Sequence, residues 1–215
     1  GDSCYEELIR APQAKLNVVQ CAGSMTALAK RMEAEFDIPY SKVSFYGVED
    51  TASSLKKIAE ALGDEETIAK TRRFCEEQSQ QLEPIVERYK SQFTGKKAAI
   101  YVGGGFKAIS LIRQFREFGM DTVMVGTQTG RPEDYEVIRT LVSPECVVLD
   151  DANPSELEKF MVEGDADILV GGVKERPLAY KLGVAFCDHN HERKHPLAGF
   201  VGVRNFAEEI NSSMN

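Results

Sequence analysis

Residues 98–126 read AAIYVGGGFKAISLIRQFREFGMDTVMVG, and this stretch decides the fold. AAIYV is a short apolar run of the kind that forms a strand buried on both faces. Three glycines follow, and then Ile109, Ile112, Phe115 and Phe118 recur at helical spacing. TVMVG at 122–126 is a second buried strand. Strand, glycine turn, amphipathic helix and strand make the βαβ unit of a parallel sheet. The rhythm continues with a helix over 132–142, strand 146–150, helix 154–163 and strand 167–171. A short helix near 175–182, a strand at 184–187 and a closing helix over 199–213 complete it. Four or five βα units predict a doubly wound parallel sheet with right-handed crossovers.

Upstream the pattern is different. LNVVQ at 16–20 reads as a strand, and Met25, Leu28, Ala29, Met32 and Phe36 fall on one face of a helix over 24–36. KVSFY at 42–46 alternates like a strand that Gly47 closes, and a helix runs from Glu49 or Asp50 to Leu62. Residues 64–94 are rich in Glu, Gln, Arg and Lys and read as one long helix. Asp64 caps it, Pro84 bends or breaks it, and Gly95 ends it. Pro12 ends any helix begun at Tyr5. The expectation is two Rossmann-like or chelatase-like three-layer α/β/α units with parallel sheets, joined by the long helix. The first, residues 1–95, has only two strands and is incomplete; the second, 96–215, is a doubly wound domain.

The net charge of −8, with no basic run, argues against general nucleic-acid binding. No apolar run reaches the ~20 residues that cross a bilayer, and GDSCYEELIR does not read as a signal peptide. Five cysteines without paired spacing are not a disulfide framework, and no CxxC points to structural zinc. Reduced thiols in a cytoplasmic protein fit best. Cys75 in mid-helix and Cys146 at a strand start read as structural.

Cys21 stands where a strand ends and a helix begins, the place where an open α/β sheet has its ligand crevice. Backbone N–H groups at a helix start favour a thiolate, the form that binds soft metals and iron–sulfur clusters. A small buried hydrophobe is the other reading of the same residue. Gly103–Gly105 would let backbone N–H groups approach an anion, or would serve a tight turn; the run is not GxGxxG. Lys174, after the strand at 167–171, would neutralise an anionic ligand or sit solvated beside Glu175. His189, His191 and His195 cluster within one segment, as a metal site or as unlinked loop residues. No Ser-His-Asp order, HExxH or Walker A motif is present.

The segments LNVVQCAGSM at 16–25, IPY at 38–40, SFYG at 44–47 and DHNHERKHPLAGFVG at 188–202 resemble the nitrogenase component 1 family. The resemblance is greatest to its E-type subunits, which belong to an assembly scaffold. It implies that Cys21 is the metal ligand, holding an end iron of an iron–sulfur precursor of the iron–molybdenum cofactor. It implies that the loop with Gly104, Gly105, Phe106 and Lys107 faces the cofactor; at Phe106 catalytic α subunits usually carry arginine. By the same resemblance Lys174 lies toward the molybdenum and homocitrate end. Asn190, flanked by His189 and His191, stands where catalytic subunits carry the molybdenum-binding histidine. Asparagine is the poorer ligand, so a cluster held by one thiolate leaves more readily, which suits a scaffold rather than an enzyme. The implied partners are the scaffold's N subunit, the nitrogenase iron protein and the radical-SAM protein that supplies the precursor. Family members are longer, with N-terminal cysteines for a second, bridging cluster that nothing here matches, so the chain reads as a C-terminal half whose cavity can be empty. The alternative is the α-type catalytic subunit of a nitrogenase-like oxidoreductase acting on dinitrogen or a tetrapyrrole. A nucleotide-binding α/β enzyme using the 103–105 glycines is a third reading.

Overall fold

The computed structural model describes residues 4–20, 25–189 and 195–215. The chain opens with helix α1 (Tyr5–Ile9), which stops short of Pro12, and a single 3₁₀ turn at Ala11–Gln13. Strand β1 (Asn17–Val19), helix α2 (Thr26–Phe36), strand β2 (Tyr40–Lys42) and helix α3 (Val48–Leu62) follow. Strands β1 and β2 pair in parallel as a two-stranded sheet, with Asn17 opposite Tyr40.

The strand expected at 42–46 lies earlier, at 40–42. Val43 N–H still donates to Val19 O at 3.0 Å. From Ser44 on, the backbone is satisfied by a side chain instead. Ser44 N–H donates to Ser54 Oγ at 3.0 Å, and that hydroxyl donates back to Ser44 O at 2.6 Å. The alternating pattern at 42–46 therefore packs onto α3 rather than into a ladder. On α2, Ala29 is buried, while Met25, Leu28 and Phe36 are 49%, 50% and 47% exposed, because a two-stranded sheet is too narrow to cover the whole apolar face.

Helix α4 (Glu65–Phe93) runs unbroken. Asp64 caps it by accepting from Thr67 N–H at 2.8 Å. Its buried residues Cys75, Leu82, Tyr89 and Phe93 fall seven, seven and four apart, one seam along the helix. Pro84 is exposed on the opposite side. The carbonyl it leaves without an N–H partner can therefore be hydrated, and the helix continues through the proline. Replacing Pro84 with alanine restores that bond and removes the ring clash. The expected result is a stabilisation of about 1–3 kcal/mol by denaturant unfolding.

The remaining elements are β3 (Lys97–Val102), α5 (Gly105–Glu117), β4 (Asp121–Thr127), α6 (Pro132–Leu141) and β5 (Val147–Asp150). Then come α7 (Pro154–Glu163), β6 (Ile168–Gly171), α8 (Arg176–Leu182), β7 (Ala185–Asp188) and α9 (Gly199–Met214). The five strands form one all-parallel sheet in the order β5-β4-β3-β6-β7. Along β3, Ala98, Ile100 and Val102 face α5, α6 and α9, with α4 behind them. Ala99 and Tyr101 face α7 and α8 across the sheet. Both faces are covered, which is why the strands read as continuous apolar runs rather than alternating ones. The helices change face where the winding reverses, as right-handed crossovers require.

Candidate functional site

The reversal of winding sets the site. The chain leaves β3 through Gly103 and Gly104 into α5 on one face of the sheet, and leaves the adjacent β6 through 172–175 into α8 on the other. Neighbouring strands whose loops part in opposite directions open a crevice at their C-terminal ends. The three glycines there differ in role. A Cβ on Gly105 would overlap the Asp134 side chain of α6, with Cγ at 2.8 Å, so Gly105 serves close helix packing. A Cβ on Gly103 would meet nothing described within 4 Å, and one on Gly104 only Thr129 Oγ1 at 4.0 Å. Among the described residues, backbone is thus open to approach at 103–104. Thr129 steadies it, its N–H and Oγ1 donating to Gly103 O at 2.8 and 2.6 Å.

Lys107 and Phe106, in the first turn of α5, are half-buried. The Lys107 ammonium donates to the His189 carbonyl and lies 5.8 Å from the centroid of the Tyr46 ring. His189 is 5% exposed. Its N–H donates to Gly171 O at 2.8 Å, and its ring stands edge-on to Tyr46 at 4.9 Å and Phe206 at 5.6 Å. Lys107 thus ties the end of β7 to α5 and to the 44–47 segment. Lys174 is exposed in the turn between β6 and α8. Glu175 turns inward and its Oε2 accepts from Gly172 N–H at 2.8 Å, so among the described residues it makes no ion pair with Lys174. The lysine keeps a solvated charge at the crevice edge.

Cys21, Asn190 and His191 lie outside the described residues. Cys21 falls between β1 and α2, and Asn190 and His191 directly after His189 at the end of β7. His195 lines a cleft of about 560 Å³ on the outer side of β7, with Arg176, Phe186, Asp188 and Asn205. Its surroundings are therefore not those of His189. Cys4, Cys75, Cys146 and Cys187 are free thiols. Burial raises the Cys75 thiol and pushes Cys146 up to about 11, so both are neutral at physiological pH, as structural cysteines are. Among the described residues no helix is long and apolar enough to cross a membrane.

Several residues of the site are not apparent from the sequence. Tyr46 and Phe206 enclose His189, and Ser110, Arg113 and Glu117 of α5 grip residues 44–50. Glu117 is half-buried at the start of α3, where Oε2 accepts from Val48 N–H at 2.9 Å and Oε1 from Glu49 N–H at 2.8 Å. Burial raises its carboxyl above the usual range, with Glu49 and Asp50 adding repulsion, against the lowering effect of those two bonds. The signal for the grip is the 110, 113, 117 spacing, which places three polar residues on one side of α5.

With this geometry in place, comparison with known proteins identifies the fold and the family. The sequence matches the family described as nitrogenase component 1 type oxidoreductase over residues 1–215. It is 64% identical over all 215 residues to the nitrogenase iron-molybdenum cofactor biosynthesis protein NifE of Clostridium pasteurianum, and it covers 47% of that protein. The NifE of Methanosarcina barkeri is 47% identical over 215 residues, 46% of its own length. The chain therefore spans about half the length of the curated relatives it matches. A solved structure titled "Nitrogenase Cp1 at pH 6.5" superposes with a TM-score of 0.87, covering 100% of this chain and 52% of that one at 23% identity, which speaks to the fold. The chain belongs to the nitrogenase component 1 type oxidoreductase family.

Proposed function

We propose that this chain is part of a scaffold subunit for maturation of the nitrogenase iron–molybdenum cofactor. In this reading the cluster is cargo rather than a resident group. Cys21 holds an iron–sulfur precursor by one thiolate while molybdenum and homocitrate are added, and the product is passed on to apo-nitrogenase. The observation that carries the reading is the 64% identity, over the full chain, to a protein that bears the cofactor-biosynthesis name. The crevice chemistry supports it. Open backbone at Gly103 and Gly104 leaves room for a bulky anion, and Lys174 at the rim offers it a cation. His189, fixed between Tyr46 and Phe206, anchors the segment that continues to Asn190 and His191. Asn190 in place of imidazole leaves the cargo held more weakly at that end. The partners that follow are an N-type scaffold subunit, the nitrogenase iron protein and a radical-SAM donor of the precursor.

Anaerobic titration with an iron–sulfur cofactor precursor tests the reading, with iron content and electron paramagnetic resonance read on the wild type, Cys21→Ala and Asn190→His. Binding is expected to be lost in Cys21→Ala, and release to be slower from Asn190→His. Equal binding by the wild type and Cys21→Ala would overturn the thiolate assignment.

A further inference from the structure

Helix α5 has two faces of different chemistry. Ala108, Ile109, Ile112 and Phe115 are buried in the core beneath the sheet. Ser110, Arg113 and Glu117, spaced three and four apart, reach from the same helix to residues 44–50 of the first unit. Ser110 Oγ lies 2.6 Å from Asp50 Oδ2 and 2.7 Å from Ser44 Oγ. Arg113 Nη1 donates to Asp50 Oδ1 at 2.7 Å. Asp50 is 7% exposed, so these partners offset the burial of its charge. Glu117 receives the first N–H groups of α3.

That last contact is the informative one. The N-terminal N–H groups of a helix are ordinarily satisfied by the preceding side chain. Here the preceding residue is Gly47, which has none. Its φ is +82°, and a Cβ there would sit 3.0 Å from Glu117 Oε2. The cap of α3 is supplied by a carboxylate more than sixty residues away in sequence. The apolar contacts of Val48, Ala52 and Leu55 with the core also join the units, but apolar contact is non-directional. Charge-assisted hydrogen bonds fix angle and register.

We propose that Glu117, with Asp50, Ser110 and Arg113, is a positioning clamp that sets the spacing between the unit carrying Cys21 and the Gly103–Lys107 loop at the other end of α5. Its bearing on cluster binding rests on the reading of the crevice given above; the clamp itself does not. Glu117 touches no reacting atom in this account and acts through α3 and the 44–47 segment.

The test measures distance directly. Spin labels are placed at the exposed positions Lys30→Cys on α2 and Lys159→Cys on α7, in a background lacking Cys4 and Cys21, and pulsed dipolar spectroscopy is recorded without cluster. The wild-type clamp is expected to give one narrow distribution. Glu117→Ala is expected to broaden and shift it with the helical circular dichroism unchanged, and Glu117→Gln, which keeps an acceptor, to restore most of the narrowness. With Cys21 present, Glu117→Ala should weaken precursor binding on the order of tenfold, as loss of an outer-shell support does. Should Glu117→Ala not fold, Arg113→Ala, which acts on Asp50 from a partly exposed side, takes its place with the same expectation. An unchanged distribution in a folded variant that has merely lost thermal stability would overturn the clamp and leave Glu117 a helix cap. A broadened distribution with unaltered precursor binding would uphold the clamp and overturn the cluster reading of the crevice.

Discussion

Gly105→Ala is expected to destabilise the protein by about 1–3 kcal/mol, the cost of forcing an extra methyl into a close-packed contact. For a chain of this size that lowers the thermal midpoint by roughly 2–4 °C per kcal/mol. Two effects compete. Alanine is a better helix former than glycine by up to about 1 kcal/mol, and residue 105 opens α5. The opposing term is steric, and it wins because the obstacle is not a flexible tip. The Asp134 Cβ and Cγ are fixed close to the α6 backbone, and Asp134 Oδ2 accepts from Arg131 N–H at 3.1 Å to cap that helix. Relief requires α6 to move or lose its cap. Gly103→Ala is the comparison: its added methyl meets no described atom within 4 Å. It should melt near the wild type yet weaken binding of an iron–sulfur precursor, because it fills backbone surface the crevice leaves open. If Gly105→Ala melts with the wild type, the packing role is wrong; if Gly103→Ala binds like the wild type, the cargo does not approach that turn.

A larger loss is expected on truncating Phe206 of α9. This ring is fully buried, 5.4 Å from the Phe115 ring centroid and 6.5 Å from that of Phe118. Phe206→Ala removes the transfer free energy of the ring and leaves a cavity that two neighbouring rings cannot fill without leaving their rotamers. Such substitutions cost about 3–5 kcal/mol. The same ring also holds the edge of His189 at 5.6 Å, so the damage should reach the site. Hydrogen exchange of the His189 amide, which donates to Gly171 O at 2.8 Å, is expected to quicken more than that of amides in β4. Phe206→Leu should keep most of the stability but not the edge contact. Uniform quickening across the sheet would mean that Phe206 supports the core alone and not the end of β7.

The doubly wound sheet was legible from residues 98–188 because a strand covered by helices on both faces must be apolar throughout, and helices on such a sheet must repeat their apolar residues at helical spacing. Asp64 as the cap of α4 was legible for the same local reason. Short-range chemistry writes these features into neighbouring residues. The glycine run at 103–105 was legible as a turn, but not the division of labour within it. Gly105 differs from Gly103 only by what α6 brings beside it, twenty-nine residues further on. The alternation at 42–46 was misleading, because pattern reports which side chains are buried and not what covers them, and here a serine of α3 displaced the neighbouring strand. In the sequence Lys107 stands out only as part of a loop expected to face the cofactor; that the His189 carbonyl and the Tyr46 ring would meet it was not legible, because both come from distant segments. Glu117, which no sequence motif singles out, is brought by the fold to the start of α3, where it caps that helix. Sequence alone determined the periodicities, and with them most of the elements; the order of the strands, and so the crevice at the reversal of winding, came from the tertiary structure. Tertiary structure alone decided which polar groups meet, because hydrogen bonds and ion pairs act over a few ångströms between residues that the chain holds sixty or more positions apart.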